Sequence, residues 1–206
     1  MSRLLVVNSS ARGEGSVSRS LVKEFLSLRV KNHPEEEVTQ RDVSKEPLPI
    51  VTESWIIGAY APEEHQTVET KAAIAVSDAL VDEFLAADRY VFGVPIYNLN
   101  VPAAFKAYID QIVRVRKTFG VGPNGYEGLV KGRKALVIAA YGGVFSPGSP
   151  YAAYNFHEPY LRAIFGFIGV TDIQFIVADG QNIGDEAAAA SKAKAQVEIK
   201  ALAANW

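Results

Sequence analysis

The stretch "RLLVVNSSARGEGSVSRSL", residues 3–21, decides how the rest of the chain is read. Leu4–Val7 form a short apolar run closed by Asn8-Ser9-Ser10, the pattern of a strand buried on both faces. Gly13 and Gly15 loosen the next segment, and Ser16 or Ser18 opens a helix. Leu21, Val22, Phe25 and Leu28 follow at helical spacing, until "NHP" at 32–34 stops the helix. A strand, a hydroxyl-rich loop and a helix start make an anion cradle, because the first helical N–H groups are unpaired and the dipole favours negative charge. Two familiar cradles are excluded. There is no Gly-Lys-Ser/Thr ending for a triphosphate, and Ser18 stands where a dinucleotide fingerprint needs its third glycine. One terminal monophosphate without metal fits what remains; an ordinary serine N-cap is the plainer alternative.

The same alternation continues outward. Strands are expected within 36–43, 87–98, 134–143 and 172–180, with helices near 67–86, 101–117, 150–168 and 185–204. This predicts one α/β domain over residues 1–206: a doubly wound, five-stranded parallel sheet with right-handed crossovers and helices on both faces. Ligands of such sheets lie beyond the carboxyl ends of the strands at the switch point, which selects loops 9–18, 95–100 and 140–146. Two segments exceed the minimal fold. Residues 44–66 carry Trp55, Ile56 and Ile57 among prolines and acids, and 117–133 read as a hairpin around Pro123-Asn124-Gly125.

Composition narrows the function. The 206 residues carry a formal net charge of −2 and no cysteine, and the three histidines, His33, His65 and His157, are scattered. Nucleic acid is not expected as a partner, nor disulfides, thiolate chemistry or a metal site. Apolar runs are too short to span a membrane, and no secretory leader is legible in "MSRLLVVNSS", so a cytoplasmic location is expected.

The other two loops suit a planar ligand. In "VPIYNLNVPAAF" (94–105), Asn98 or Asn100 can cap the next helix with Pro102 in its first turn, while Tyr97 and Leu99 stand at an open strand end. Backbone there can meet the edge of a heterocycle while apolar side chains cover its face. In "AAYGGVFSPGSPY" (139–151), Gly142-Gly143 permits close approach and presents two N–H groups, suited to a ring atom that becomes negative on reduction. Helices 101–117 and 150–168 are apolar on more than one face through Phe105, Tyr108, Ile112, Ile164, Phe165 and Phe167, which predicts a second buried face against another copy of the chain.

Together "VNSS", "SVSRSL", "PIYNLNVPAAFKAYID", "GLVKGRKALVIAAYGG" and "VTDIQFIVADG" resemble the flavodoxin-like FMN-dependent NAD(P)H azoreductases, relatives of bacterial and mammalian quinone reductases. The resemblance spans nearly the whole chain, and Pro-x-Tyr-Asn is its most specific block. It implies a flavodoxin-like fold, tightly but non-covalently held FMN, NADH or NADPH as hydride donor, quinones and azo compounds as acceptors, and a homodimer with two active sites at its interface. By the same resemblance the phosphate meets Ser10, Ser16, Val17 and Ser18. The isoalloxazine is bracketed by Ile96, Tyr97, Asn98 and Leu99, with its pyrimidine end at Ala140, Tyr141, Gly142 and Gly143. Asn98, Phe119 and Phe167 wall the substrate site, Phe167 from the partner subunit. The family often carries a hydroxyl residue at the position of Ala140 and a basic one at that of Tyr141. No acid–base residue is assigned. Two-electron ping-pong turnover is the expected mode, with a flavodoxin-type electron carrier as the alternative and a receiver domain disfavoured by strand ends that lack an acidic cluster.

Overall fold

The computed structural model describes residues 2–206. In chain order, β1 (Arg3–Asn8), α1 (Val17–Asn32) and β2 (Glu37–Asp42) are followed by α2 (Glu53–Tyr60), α3 (Val68–Ala86), β3 (Arg89–Gly93) and α4 (Ala103–Ile112). Then come β4 (Phe119–Gly122), β5 (Gly125–Gly128), β6 (Lys134–Ala140), α5 (His157–Phe167), β7 (Asp172–Ala178) and α6 (Asp185–Ala203). The main sheet has the order β2-β1-β3-β6-β7, parallel throughout. The chain leaves β1 for β2 on one side and returns to β3 on the other, so the switch point lies between β1 and β3.

Strand alternation divides the core. Leu5, Val7, Tyr90, Phe92 and Val137 face α3, α4 and α5, whereas Leu4, Val6, Val91, Leu136 and Ile138 face α1 and α6. On the first side Phe84, Tyr90, Phe92 and Phe165 stack in series, with ring centroids 4.2, 5.8 and 4.7 Å apart.

Both additional segments are structured. Residues 44–66 contain α2, anchored where Trp55 Nε1 donates to Gln111 Oε1 of α4 (2.8 Å). Residues 117–133 hold the antiparallel pair β4–β5, turned at Gly125 with φ 102°. The hairpin presses on the end of α5: a Cβ at Gly128 would lie 2.2 Å from the Gly169 nitrogen, and Val130 N–H donates to Ile168 O (2.9 Å).

Besides the helix expected near 150–168, which begins only at His157 after a 3-10 turn at Ala152–Tyr154, two local expectations differ from the structure. Neither Asn98 nor Asn100 caps α4; Pro102 holds the cap position without a side-chain bond. Tyr97 and Asn100 instead exchange backbone hydrogen bonds of 2.8 and 3.1 Å around Asn98 and Leu99, whose φ values are 48° and 72°. This is the sign pattern of a type I′ turn, which costs about 1 kcal/mol at a leucine. Second, α4 stops at Ile112 rather than near 117. The Thr118 hydroxyl donates to Ile112 O (2.7 Å) and accepts from Arg114 N (2.8 Å), closing the helix end in place of another turn.

Among the described residues no helix is long and apolar enough to cross a membrane.

Candidate active site

Ser16 is the N-cap of α1: its backbone is extended and its Oγ accepts from Arg19 N (3.3 Å). Ser18 Oγ lies 3.3 Å from Ser16 Oγ, and both side chains are buried. Among the described residues the N–H groups of Val17 and Ser18 have no acceptor. The loop before them is held by Arg19, which donates to Ser10 O through Nε (3.2 Å) and Nη2 (2.5 Å) and forks onto Asp42 at 2.6 and 2.8 Å. Burial alone would raise the Asp42 carboxyl, but hydrogen bonds from Arg19 and Ser44 hold it below the usual range. The clamp therefore stays charged at neutral pH and fixes the cradle.

The second loop meets the first through Tyr97, whose Oη accepts from Ala11 N–H (3.2 Å) and lies 3.4 Å from Ser10 Oγ. In the third loop the carbonyls of Tyr141, Gly142 and Gly143 are all taken, by the N–H groups of Gln181, Asn182 and Gly180 at 2.9–3.0 Å. The N–H groups of Gly142 and Gly143 have no acceptor among the described residues. Tying every carbonyl back to the segment after β7 leaves two amide donors free. A Cβ at Gly142 would lie 2.6 Å from Asn182 Nδ2, so the Asn182 side chain would have to shift to admit one.

A cleft of ≈ 270 Å³ at the β1/β3 switch point gathers Ser10, Ser16, Val17, Ser18, Ile96, Tyr97, Ala140, Tyr141 and Gly142. Asn98, Leu99 and Gly143 adjoin it in the same two loops without lining it. Phe119 and Phe167 lie apart from it, packed on each other at 4.9 Å and on Tyr126 at 6.0 and 5.4 Å. Four lining residues escaped the sequence reading: Arg12, Pro95, Gln181 and Asn182. Arg12 is the only charged one. The switch-point rule itself could have found Gln181 and Asn182, because the loop after the last strand also leaves a carboxyl end.

Tyr141 is turned inward, its Oη 3.1 Å from His157 Nδ1. Burial, partly offset by the Val94 carbonyl, pushes His157 down to about 4 from an ordinary 6.5. An unfolded chain takes up this proton near pH 6.5 and the folded chain only near 4. The contribution of His157 is thus complete above 6.5 and lost as pH falls toward 4, by about 3 kcal/mol in total. Urea unfolding at pH 7 and pH 4.5 should show this loss in the natural chain and a much smaller one in His157→Gln.

The donor set fits FMN. Hydroxyls and helix-start amides suit its phosphate without a metal, and amides opposed across the cleft suit the polar edge of a flat ring. A parallel sheet with this cleft at its switch point defines the flavodoxin-fold class of flavin proteins. A family model described as flavodoxin-like fold matches residues 2–202. The FMN-dependent NADH:quinone oxidoreductase 2 of Trichormus variabilis is 53% identical over 207 residues, covering 100% of both chains. The azoreductase of Bacillus anthracis strain Sterne superposes with TM-score 0.93 at 33% identity, over 100% of both chains. An FMN-dependent NADH-azoreductase of Bacillus anthracis strain Ames Ancestor, solved in complex with FMN, gives TM-score 0.89 at 27% identity over 98% of both. The chain belongs to the flavodoxin-like family of FMN-dependent NAD(P)H quinone reductases and azoreductases.

Proposed function

We propose that the chain is an FMN-dependent oxidoreductase that uses NADH or NADPH to reduce quinones and azo compounds. The observation that carries this reading is the cleft itself. It sets the free amides of Val17 and Ser18 and the hydroxyls of Ser10, Ser16 and Ser18 at one place and the free amides of Gly142 and Gly143 at another, with Ile96 and Tyr97 between. Bound FMN supplies two-electron hydride chemistry. The protein's part is to orient and shield: Ser16, Val17 and Ser18 would hold the phosphate, the loop from Ile96 to Leu99 would cover the ring, and the amides of Gly142 and Gly143 would donate to its polar edge. Tyr97 keeps the first two loops in register. His157 is buried and does not line the cleft, so it does not meet the acceptor directly.

One flat ring in one cleft gives donor and acceptor a single place to react in turn. Steady-state rates at several quinone concentrations should give parallel double-reciprocal lines. Anaerobic addition of NADH alone should bleach the FMN-loaded protein, and a quinone should then restore its colour. Intersecting lines with bleaching only when acceptor is present would point to a ternary complex. A carrier of the flavodoxin type would not bleach without a separate reductase.

The working unit of this proposal is a cytoplasmic homodimer in which Asn98, Phe119 and the partner's Phe167 wall the acceptor site. Of the residues expected at the interface, Phe105, Tyr108, Ile112 and Phe165 are consumed by the chain's own core. What supports the dimer instead is an apolar groove of ≈ 670 Å³ between α2, α4 and α5, lined by Trp55, Ile56, Tyr60, Ile109, Val113 and Ile164. Ile56→Glu should convert dimers to monomers by light scattering at micromolar concentration and reduce turnover. A natural chain that is monomeric and fully active would remove both the dimer and the shared site.

A further inference from the structure

We propose that His157 is a positioning residue for the flavin ring, pinning the two loops that flank the cleft to each other from beneath. The inference rests on the FMN reading above.

His157 is the first residue of α5 and fully buried. Its Nε2 lies 3.0 Å from Val94 O and its Nδ1 3.1 Å from Tyr141 Oη. A carbonyl only accepts, so Nε2 carries the proton and Nδ1 is left as an acceptor for the Tyr141 hydroxyl. The result is a one-way chain: Tyr141 O–H donates to His157 Nδ1, and His157 Nε2–H donates to Val94 O.

Both ends of this chain reach the cleft. Val94 precedes Pro95 and Ile96, which line it, and Ile96 N–H donates to Ala140 O (3.0 Å). Tyr141 lines it directly and is held at three further points. Its N–H donates to Ala178 O (2.9 Å), its carbonyl accepts from Gln181 N–H (2.9 Å), and its ring meets Phe145 edge-on at 6.0 Å and 76°. The adjoining peptides, Gly142 and Gly143, carry the free amides. Leu99 O accepts from Phe156 N–H (3.2 Å), so the strained 97–100 turn is also tied to the start of α5. One helix start therefore sets the spacing between the loop that would cover the ring and the loop that would donate to its edge.

The requirement is chemical. The residue must accept at one atom and donate at another about a ring-width away. Glutamine can do both; phenylalanine fills the space and does neither. His157→Phe should weaken FMN and riboflavin equally, by about tenfold or more, because the tie lies at the ring end and not at the phosphate. It should also shift the visible flavin spectrum and the two-electron midpoint potential. Tyr141→Phe should move the same readouts in the same direction by a few-fold, and His157→Gln should recover most of the loss. In the apo-protein, imidazole nitrogen NMR should show the neutral Nε2–H tautomer between pH 5 and 8.

A merely structural histidine would lower thermal stability in these variants and leave flavin affinity, spectrum and potential unchanged; that result overturns the proposal. If His157→Phe does not fold, Tyr141→Phe decides, since it keeps the imidazole and its bond to Val94. Absence of FMN binding by the natural chain would overturn the cofactor reading, whereas variants equal to a natural chain that does bind would overturn this inference alone.

Discussion

Replacing Ser16 and Ser18 together with alanine is expected to weaken FMN binding by two to four orders of magnitude and to leave riboflavin binding nearly unchanged. Each hydroxyl would donate a charge-assisted hydrogen bond to the phosphate, at about 1.5–3 kcal/mol apiece. The two oxygens stand 3.3 Å apart over the unpaired first-turn amides of α1, so they converge on one group. Riboflavin lacks that group. Ser16 is also the N-cap, and its loss costs the fold about 1 kcal/mol, a separate effect seen in thermal stability. Fluorescence titration of both ligands checks the outcome. Equal losses for FMN and riboflavin would place the phosphate elsewhere.

Gly128→Ala is expected to destabilise the chain by about 3 kcal/mol or more and to lower Tm by roughly 6–12 °C. The added Cβ would lie 2.2 Å from the Gly169 nitrogen and 2.4 Å from the Ile168 carbonyl carbon, and backbone cannot yield as a side-chain tip can. The hairpin would be pushed off the end of α5, parting Phe119 and Tyr126 from Phe167. Loss of quinone turnover should then exceed loss of FMN affinity, because the cleft is built by other loops. Gly120→Ala is the control: its Cβ would meet only Leu129 methyls at 3.8 Å or more. Equal melting of the two variants would show that the close approach at Gly128 carries no weight.

The sheet was legible because its signals are local. Leu4–Val7, Val91–Phe92 and Leu136–Ile138 are short apolar runs rich in β-branched or aromatic residues and bounded by turn signals, which suits a strand buried on both faces. Ser16 was legible for the same reason, since an N-cap bonds to an amide three residues ahead. The carboxyl-end rule then placed three of the cleft's loops without any tertiary contact.

What stayed hidden depends on contacts between distant parts of the chain. Phe105, Tyr108, Ile112 and Phe165 look like a spare apolar face by periodicity, yet the core takes all four; how wide a stripe a helix buries is set by how deeply its neighbours seat it. The turn at Asn98-Leu99 could not be foreseen, because a leucine with φ 72° goes against its own local preference and is held by cross-turn and α5 bonds. His157 lies sixteen residues from Tyr141 and sixty-three from Val94, and nothing near it in sequence marks it. The sequence by itself determined the strands, most of the helices and the sheet edge at which the cleft lies, since those follow from periods of two and 3.6 residues, from capping chemistry and from the carboxyl-end rule. Only the tertiary structure decided which amides stay free, which hydroxyls converge and which buried ring joins the loops. Those are distances between segments, and packing sets them only after every segment has formed.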